Sequence, residues 1–216
     1  MHNPVVLDRF GGFGTSGPLA REYSCVDGLF RSATSDSYVV AAGTYGGWVC
    51  SWSAEDGSVL GASRPSGGAK RALAFSPSGL LLAAGSDAGP GGQGVYVMEV
   101  PDLSAVRHLP TKGDARDLAW LDATRIAVGT TSARDNVYVF DTVTGSARAF
   151  EGHRGRVRAI SASGGLVATS GNDGAIRVWD TGLVREVYMP SVQTALLLHP
   201  DGSFVAGGAA RVVTEV

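Results

Sequence analysis

Residues 152–180 read GHRGRVRAISASGGLVATSGNDGAIRVWD, and this stretch decides the fold. A Gly-His pair, Gly152-His153, leads into an alternating run that begins at Val157. Alternation of that kind has the period of a half-buried strand. Gly164-Gly165 supplies a tight turn, Leu166 to Thr169 a second strand, and Gly171-Asn172-Asp173-Gly174 a second turn. Ala175 to Val178 forms a third strand that ends on Trp179-Asp180. The stretch reads as an antiparallel meander of short strands.

Weaker copies flank it. Tyr38 to Trp52 (YVVAAGTYGGWVCSW) aligns with Leu166 to Trp179, placing Trp52 on Trp179 and Gly46 where the turn Asp should be. Leu80 to Glu99 puts Met98-Glu99 at the Trp-Asp positions and inserts a loop, Ala88 to Gln93. Arg125 to Asp141 puts Phe140-Asp141 there, with Asp135 near the turn. A fifth copy opens at Thr194, where LLLHPDG (Leu196 to Gly202) echoes LAFSPSG (Leu73 to Gly79). The anchors Trp52, Met98, Phe140 and Trp179 recur about every 40 to 46 residues, the period of a blade array.

In this order of elements the chain resembles the WD40-repeat family, with one copy carrying the full motif. The resemblance implies an all-β fold, a WD40-type β-propeller of about five four-stranded blades in a single domain, 1–216. Blades are expected near 22–66, 67–111, 112–151, 152–190 and 191–216. The N-terminal strand 4–10 (overlapping VVLDRFGG, Val5 to Gly12, which resembles SARAFEGH, Ser146 to His153) is expected to complete the last blade and close the ring. A ring left incomplete and finished by another chain is the alternative. In the family, the Gly-His histidine, a Ser/Thr of the second strand, the turn Asp and the Trp form a hydrogen-bonded tetrad. The matching residues here are His153, Thr169, Asp173 and Trp179, which gives them a structural role rather than a catalytic one. Where the tetrad is missing, the blades are expected to be looser and held mainly by apolar packing.

Composition agrees with many short strands. Apolar residues make up 44% and charged residues 18%, which argues against disorder, and 31 scattered glycines suit tight turns. A net charge of −2 names neither nucleic acid nor membrane as a partner. The N-terminus lacks the basic and apolar runs of a signal peptide, and the longest apolar run, around Leu80 to Ala84, is too short to span a bilayer. Cys25 and Cys50 are read as buried free thiols in a reducing cytosol, hence a cytoplasmic protein, with one bridge as the alternative. The four histidines are dispersed, so no metal and no cofactor is expected. Gly12 to Gly17 (GFGTSG) matches the dinucleotide pattern literally, but no helix-forming crossover follows it, and it reads as a connection into the first full blade. No nucleophile elbow, zinc-protease or phosphate-loop motif is present, so the chain is not read as an enzyme.

One recurrence carries a functional reading. Aligning the first strand of each copy superposes Arg71, Arg116 and Arg158, with Thr194 in the fifth. Near the start of an innermost strand they would stand at one mouth of the ring, with Lys70, Lys112, Arg154 and Arg156 in or beside the same loops. Such a cluster suits an acidic or phosphorylated peptide, unless the arginines are solvated or paired with Asp114 and Asp117. Tyr45, Trp48 and Asn172 fall in loops of the same face and complete the candidate partner-binding set, although Tyr45 and Trp48 could instead pack between blades. The expected function is a non-catalytic scaffold for an unidentified protein partner, monomeric if the ring closes on itself. A structural subunit of a larger assembly is the alternative, and an enzyme or small-ligand binder a further one.

Overall fold

A computed structural model describes residues 38–208 in full, apart from 105 and 135, together with the backbone of 5–7, 13–15, 30–35 and 213–215. Every regular element among the described residues is a strand. A separate two-stranded ladder joins β1 (Val5–Leu7) to β2 (Phe13–Thr15). The first four-stranded meander comprises β3 (Phe30–Ser35), β4 (Val39–Thr44), β5 (Val49–Ser53) and β6 (Val59–Ser63). A second is formed by β7 (Lys70–Phe75), β8 (Leu81–Ser86), β9 (Gly94–Glu99) and β10 (Arg107–Pro110). The third contains β11 (Ala115–Trp120), β12 (Arg125–Thr130), β13 (Val137–Asp141) and β14 (Ala147–Phe150). The fourth, built from the complete motif, has β15 (Val157–Ser163), β16 (Leu166–Gly171), β17 (Ala175–Trp179) and β18 (Leu183–Tyr188). A three-stranded sheet follows, of β19 (Gln193–Leu198), β20 (Phe204–Gly208) and β21 (Val213–Glu215).

The sheets stack in sequence order. β3 packs on β7, β7 on β11, β11 on β15 and β15 on β19, so the first strands lie innermost along an arc. Sequence explains the gradient of burial across each sheet. The second strands read VVAAGT, LLAAGS, RIAVGT and LVATSG, and nearly every residue in them is buried on both faces. Their small side chains let neighbouring sheets approach closely. The fourth strands are largely exposed. Between each pair of sheets lies an apolar layer, such as Val95 and Val97 against Leu118, Ile126 and Phe140. The anchors Trp52, Met98, Phe140 and Trp179 all sit buried on third strands. Hydrogen bonds also cross between sheets: Trp120 Nε1 donates to Ala74 O at 3.0 Å, and the Leu198 amide donates to Ser161 Oγ at 3.0 Å.

Three expectations need correction. Val5–Leu7 pairs with Phe13–Thr15 instead of with the last sheet, and among the described residues no β19–β3 contact matches those between the other first strands. A hairpin of a few residues costs far less chain entropy than tying residue 5 to a strand some two hundred positions away. Cys50 is wholly buried and disulfide-bonded rather than a free thiol, and Cys25, the chain's other cysteine, lies outside the described residues. Nor is the second sheet held by apolar packing alone. Lys70, wholly buried, donates from Nζ to Ser66 Oγ at 2.6 Å, Gly68 O at 2.8 Å and Ser86 Oγ at 3.1 Å. Ser66 precedes Lys70 by the four residues that separate His153 from Val157, so this network occupies the place of the tetrad.

Candidate functional site

The first strands share an irregularity. Each ladder with its second strand slips between Phe30 and Ser32, Lys70 and Ala72, Ala115 and Asp117, Val157 and Ala159, and Gln193 and Ala195. The residues left over are Arg31, Arg71, Arg116, Arg158 and Thr194. A β-bulge of this kind leaves one residue out of the pairing and re-aims its side chain. Arg31 escaped the alignment because its strand, FRSATS, lacks the apolar spacing of the later copies; the Phe-Arg-Ser against Val-Arg-Ala match was the available signal. Its side chain lies outside the described residues.

Arg71, Arg116 and Arg158, with Arg156 and Val157, line a pocket of about 140 Å³. Arg71 and Arg158 are tethered through Nε alone. Arg71 Nε donates to Asp87 at 2.5 Å, and Arg158 Nε donates to Asn172 Oδ1 at 2.6 Å. Among the described residues their terminal nitrogens have no partner. Among the described residues the Arg116 side chain makes no hydrogen bond: its Nε is buried without an acceptor, and Nη2 stands 3.9 Å from Asp114 Oδ2. Burial, and then the nearby Arg71, pull the Arg116 guanidinium below its ordinary pKa, a sign of an uncompensated charge, with Asp87 and Asp114 opposing.

Arg154 stands outside this pocket. Its side chain is exposed, while its backbone amide donates to Asp173 Oδ2 at 3.0 Å. Tyr45 is 52% exposed and Trp48 half-buried, in the loop between β4 and β5. By the antiparallel register that loop is at the same end as the bulges, though neither aromatic lines the pocket. Asp117 does not pair with the arginines. Its buried carboxylate accepts the amides of Leu118 at 3.0 Å and of Ile160, in the next sheet, at 2.9 Å. Burial pushes its pKa up to about 6.

Beside the pocket lies the polar chain of the complete copy. Trp179 Nε1–H donates to Thr169 Oγ1 at 2.8 Å, and Thr169 lies 2.8 Å from His153 Nε2. His153 Nδ1 lies 2.9 Å from Asp173 Oδ1 and 2.6 Å from Arg177 Nη1. Burial lowers the His153 pKa, which favours the neutral ring. Arg177, not foreseen from sequence, adds a bond from Nη1 to Asp173 Oδ2 at 2.8 Å and an ion pair to Glu186. Burial alone would raise the Asp173 carboxyl, but hydrogen bonds from Arg154, His153 and Arg177 hold it well below the usual range.

The family described as "WD domain, G-beta repeat" matches residues 145–180, the segment that contains this chain of bonds. Residues 145–180 are thus a WD40 repeat. A curated relative, the ribosome biogenesis protein ERB1 of Yarrowia lipolytica, is 50% identical over 44 residues, covering 19% of this chain and 5% of that protein. The chain thus spans a small fraction of that relative's length. Among its described residues no cluster of His, Cys, Asp and Glu could hold a metal, and no helix is long and apolar enough to cross a membrane. In the GFGTSG run, Phe13 to Thr15 form a strand, where a dinucleotide loop would open a helix.

Proposed function

We propose that this chain is a non-catalytic scaffold that docks an acidic or phosphorylated segment of a protein partner at the bulge end of its sheets. One observation carries the reading: arginines from three successive sheets line a single pocket and keep their terminal nitrogens unspent. Arg154, Asn172, Tyr45 and Trp48 at the same end offer a rim of contacts around it. Residues presented on a stiff array lose little entropy on binding. The test is affinity capture from native lysate with wild type and with Arg71→Ala/Arg116→Ala/Arg158→Ala at equal folding. A specific protein captured by wild type and lost in the triple variant supports the reading. The same capture by both removes the pocket from it.

A second reading, a structural subunit of an assembly, is favoured by the open arc. Among the described residues the β19 sheet has three strands, and Leu197 on its first strand is 56% exposed. In that reading strands of another chain complete the ring, and solution mass would exceed that of the monomer. With Cys50 bonded, a cytoplasmic location loses the free-thiol argument.

A further inference from the structure

We infer that the arginine pocket takes one dianionic phosphoryl group and discriminates against carboxylates. The inference rests on the proposed docking reading and names the chemistry it would recognise. Three observations converge on it.

The first is charge. Four guanidinium groups line the pocket, and among the described residues only two of them have an ion-pair partner, Arg71 with Asp87 and Arg116 with Asp114. The two positive charges left match a phosphomonoester, which carries close to two negative charges at pH 7 and whose second pKa is ~6. A carboxylate or a phosphodiester brings one.

The second is the pattern of unused donors. Arg71 and Arg158 are each fixed through Nε, which sets the plane of the guanidinium and leaves its terminal edge for a ligand. Arg116, between them in sheet order, makes no side-chain hydrogen bond among the described residues, and its Nη2 comes no closer than 3.9 Å to Asp114. Its nearest carboxylate, Asp114, stays at 3.9 Å while taking the Ala88 amide at 3.0 Å. The pocket already has carboxylates at hand, and they leave Arg116 unsatisfied. A tetrahedral phosphoryl group presents three strong acceptor oxygens to three separately mounted arginines.

The third is size. At about 140 Å³ the pocket is well below the ~300 Å³ at which small-molecule sites begin, so it admits a single group rather than a nucleotide or a whole metabolite. Arg156 and Arg158 are exposed and Arg71 and Arg116 half-buried, so the group enters from solvent with its carrier outside.

The experiment titrates the full chain with acetyl-Gly-phosphoSer-Gly-amide, the same tripeptide with Glu, and inorganic phosphate, following the arginine Nε–H resonances and calorimetric heat. The phosphoserine probe should shift the Arg116 Nε–H and bind at least tenfold more tightly than the Glu probe. Lowering the pH from 7.5 to 5.5, which protonates the phosphomonoester, should weaken it severalfold. Arg116→Lys keeps the charge but loses the fork, and should weaken it at least tenfold with unchanged unfolding. Inorganic phosphate within threefold of the peptide would confirm that the phosphoryl group, not its carrier, is read. Equal binding of the Glu probe, or no binding of phosphoserine, overturns the inference. The two proposals fail separately. Capture lost in the triple arginine variant alongside equal Glu binding leaves the scaffold reading and removes this one. Phosphoserine selectivity alongside unchanged capture does the reverse.

Discussion

Replacing Thr169 with valine tests whether the polar chain of the fourth sheet holds its strands together. The two side chains have nearly the same shape, and Thr169 is wholly buried, so packing is preserved while the hydroxyl disappears. That oxygen accepts the Trp179 indole N–H at 2.8 Å and faces His153 Nε2 at 2.8 Å. Both partners are buried and lose their only mate at those atoms. An orphaned buried group costs ~1–3 kcal/mol, and the extra apolar methyl returns less than ~1 kcal/mol. The net loss should be about 3 kcal/mol, or a fall in Tm of roughly 6–12 °C for a chain of this size. Urea unfolding followed by tryptophan fluorescence measures it, and amide exchange in β16 and β17 locates it. Combining Thr169→Val with Trp179→Phe should cost at least ~1 kcal/mol less than the sum of the single changes, because both break one bond. A loss below about 1 kcal/mol, or strict additivity, would refute the reasoning.

Other perturbations probe separate features. Gly171→Ala would put a Cβ 2.2 Å from His153 Nδ1 and 2.6 Å from Asp173 Oδ1, so it should cost more than ~2 kcal/mol in urea unfolding. Burial lowers Lys70 from 10.5 to about 8. Between those pH values the unfolded chain holds a proton that the folded chain has released, so this group makes stability rise with pH, by up to about 3 kcal/mol. Lys70→Met should flatten that rise in unfolding curves at pH 7.5 and 10.5; an unchanged slope would count against a buried amine. Asp117 is shifted the other way from an acid's reference, up to about 6, so its favourable contribution is full below pH 4 and lost as pH rises through 6. The stability deficit of Asp117→Ala should therefore be largest near pH 4 and shrink by up to about 3 kcal/mol by pH 7.5, as thermal melts across that range would register.

What could be read in advance follows a physical division. The tetrad was legible because its members lie at fixed separations within one copy, and the bond distances among His153, Thr169, Asp173 and Trp179 follow from local strand pairing. The anchors were legible because burial at one position per copy demands a large side chain. The Lys70 network was not, since half its acceptors are backbone carbonyls, and serine carries no signature for such a role. Closure was misread because resemblance between Val5–Gly12 and Ser146–His153 says that a segment can be a strand, not which edge it joins. Arg154 and Arg156 are indistinguishable by composition. The turn at Gly155, with φ of 103°, separates them, sending one to the rim and the other into the pocket. The state of Cys50 depends on where a distant cysteine is brought, which neither neighbourhood encodes.

The repeated bulge has a consequence for how such a mouth can change. A residue left out of the pairing contributes little to the ladder on either side of it, so its side chain can be exchanged without disturbing the layers between sheets. Positions 31, 71, 116, 158 and 194 are thus five editable letters on a fixed page, and this chain already spells one of them differently, as threonine. Substitution at those sites would change the chemistry presented at that end of the sheets while leaving the capacity to fold intact. A library randomised there alone should therefore yield folded variants at high frequency.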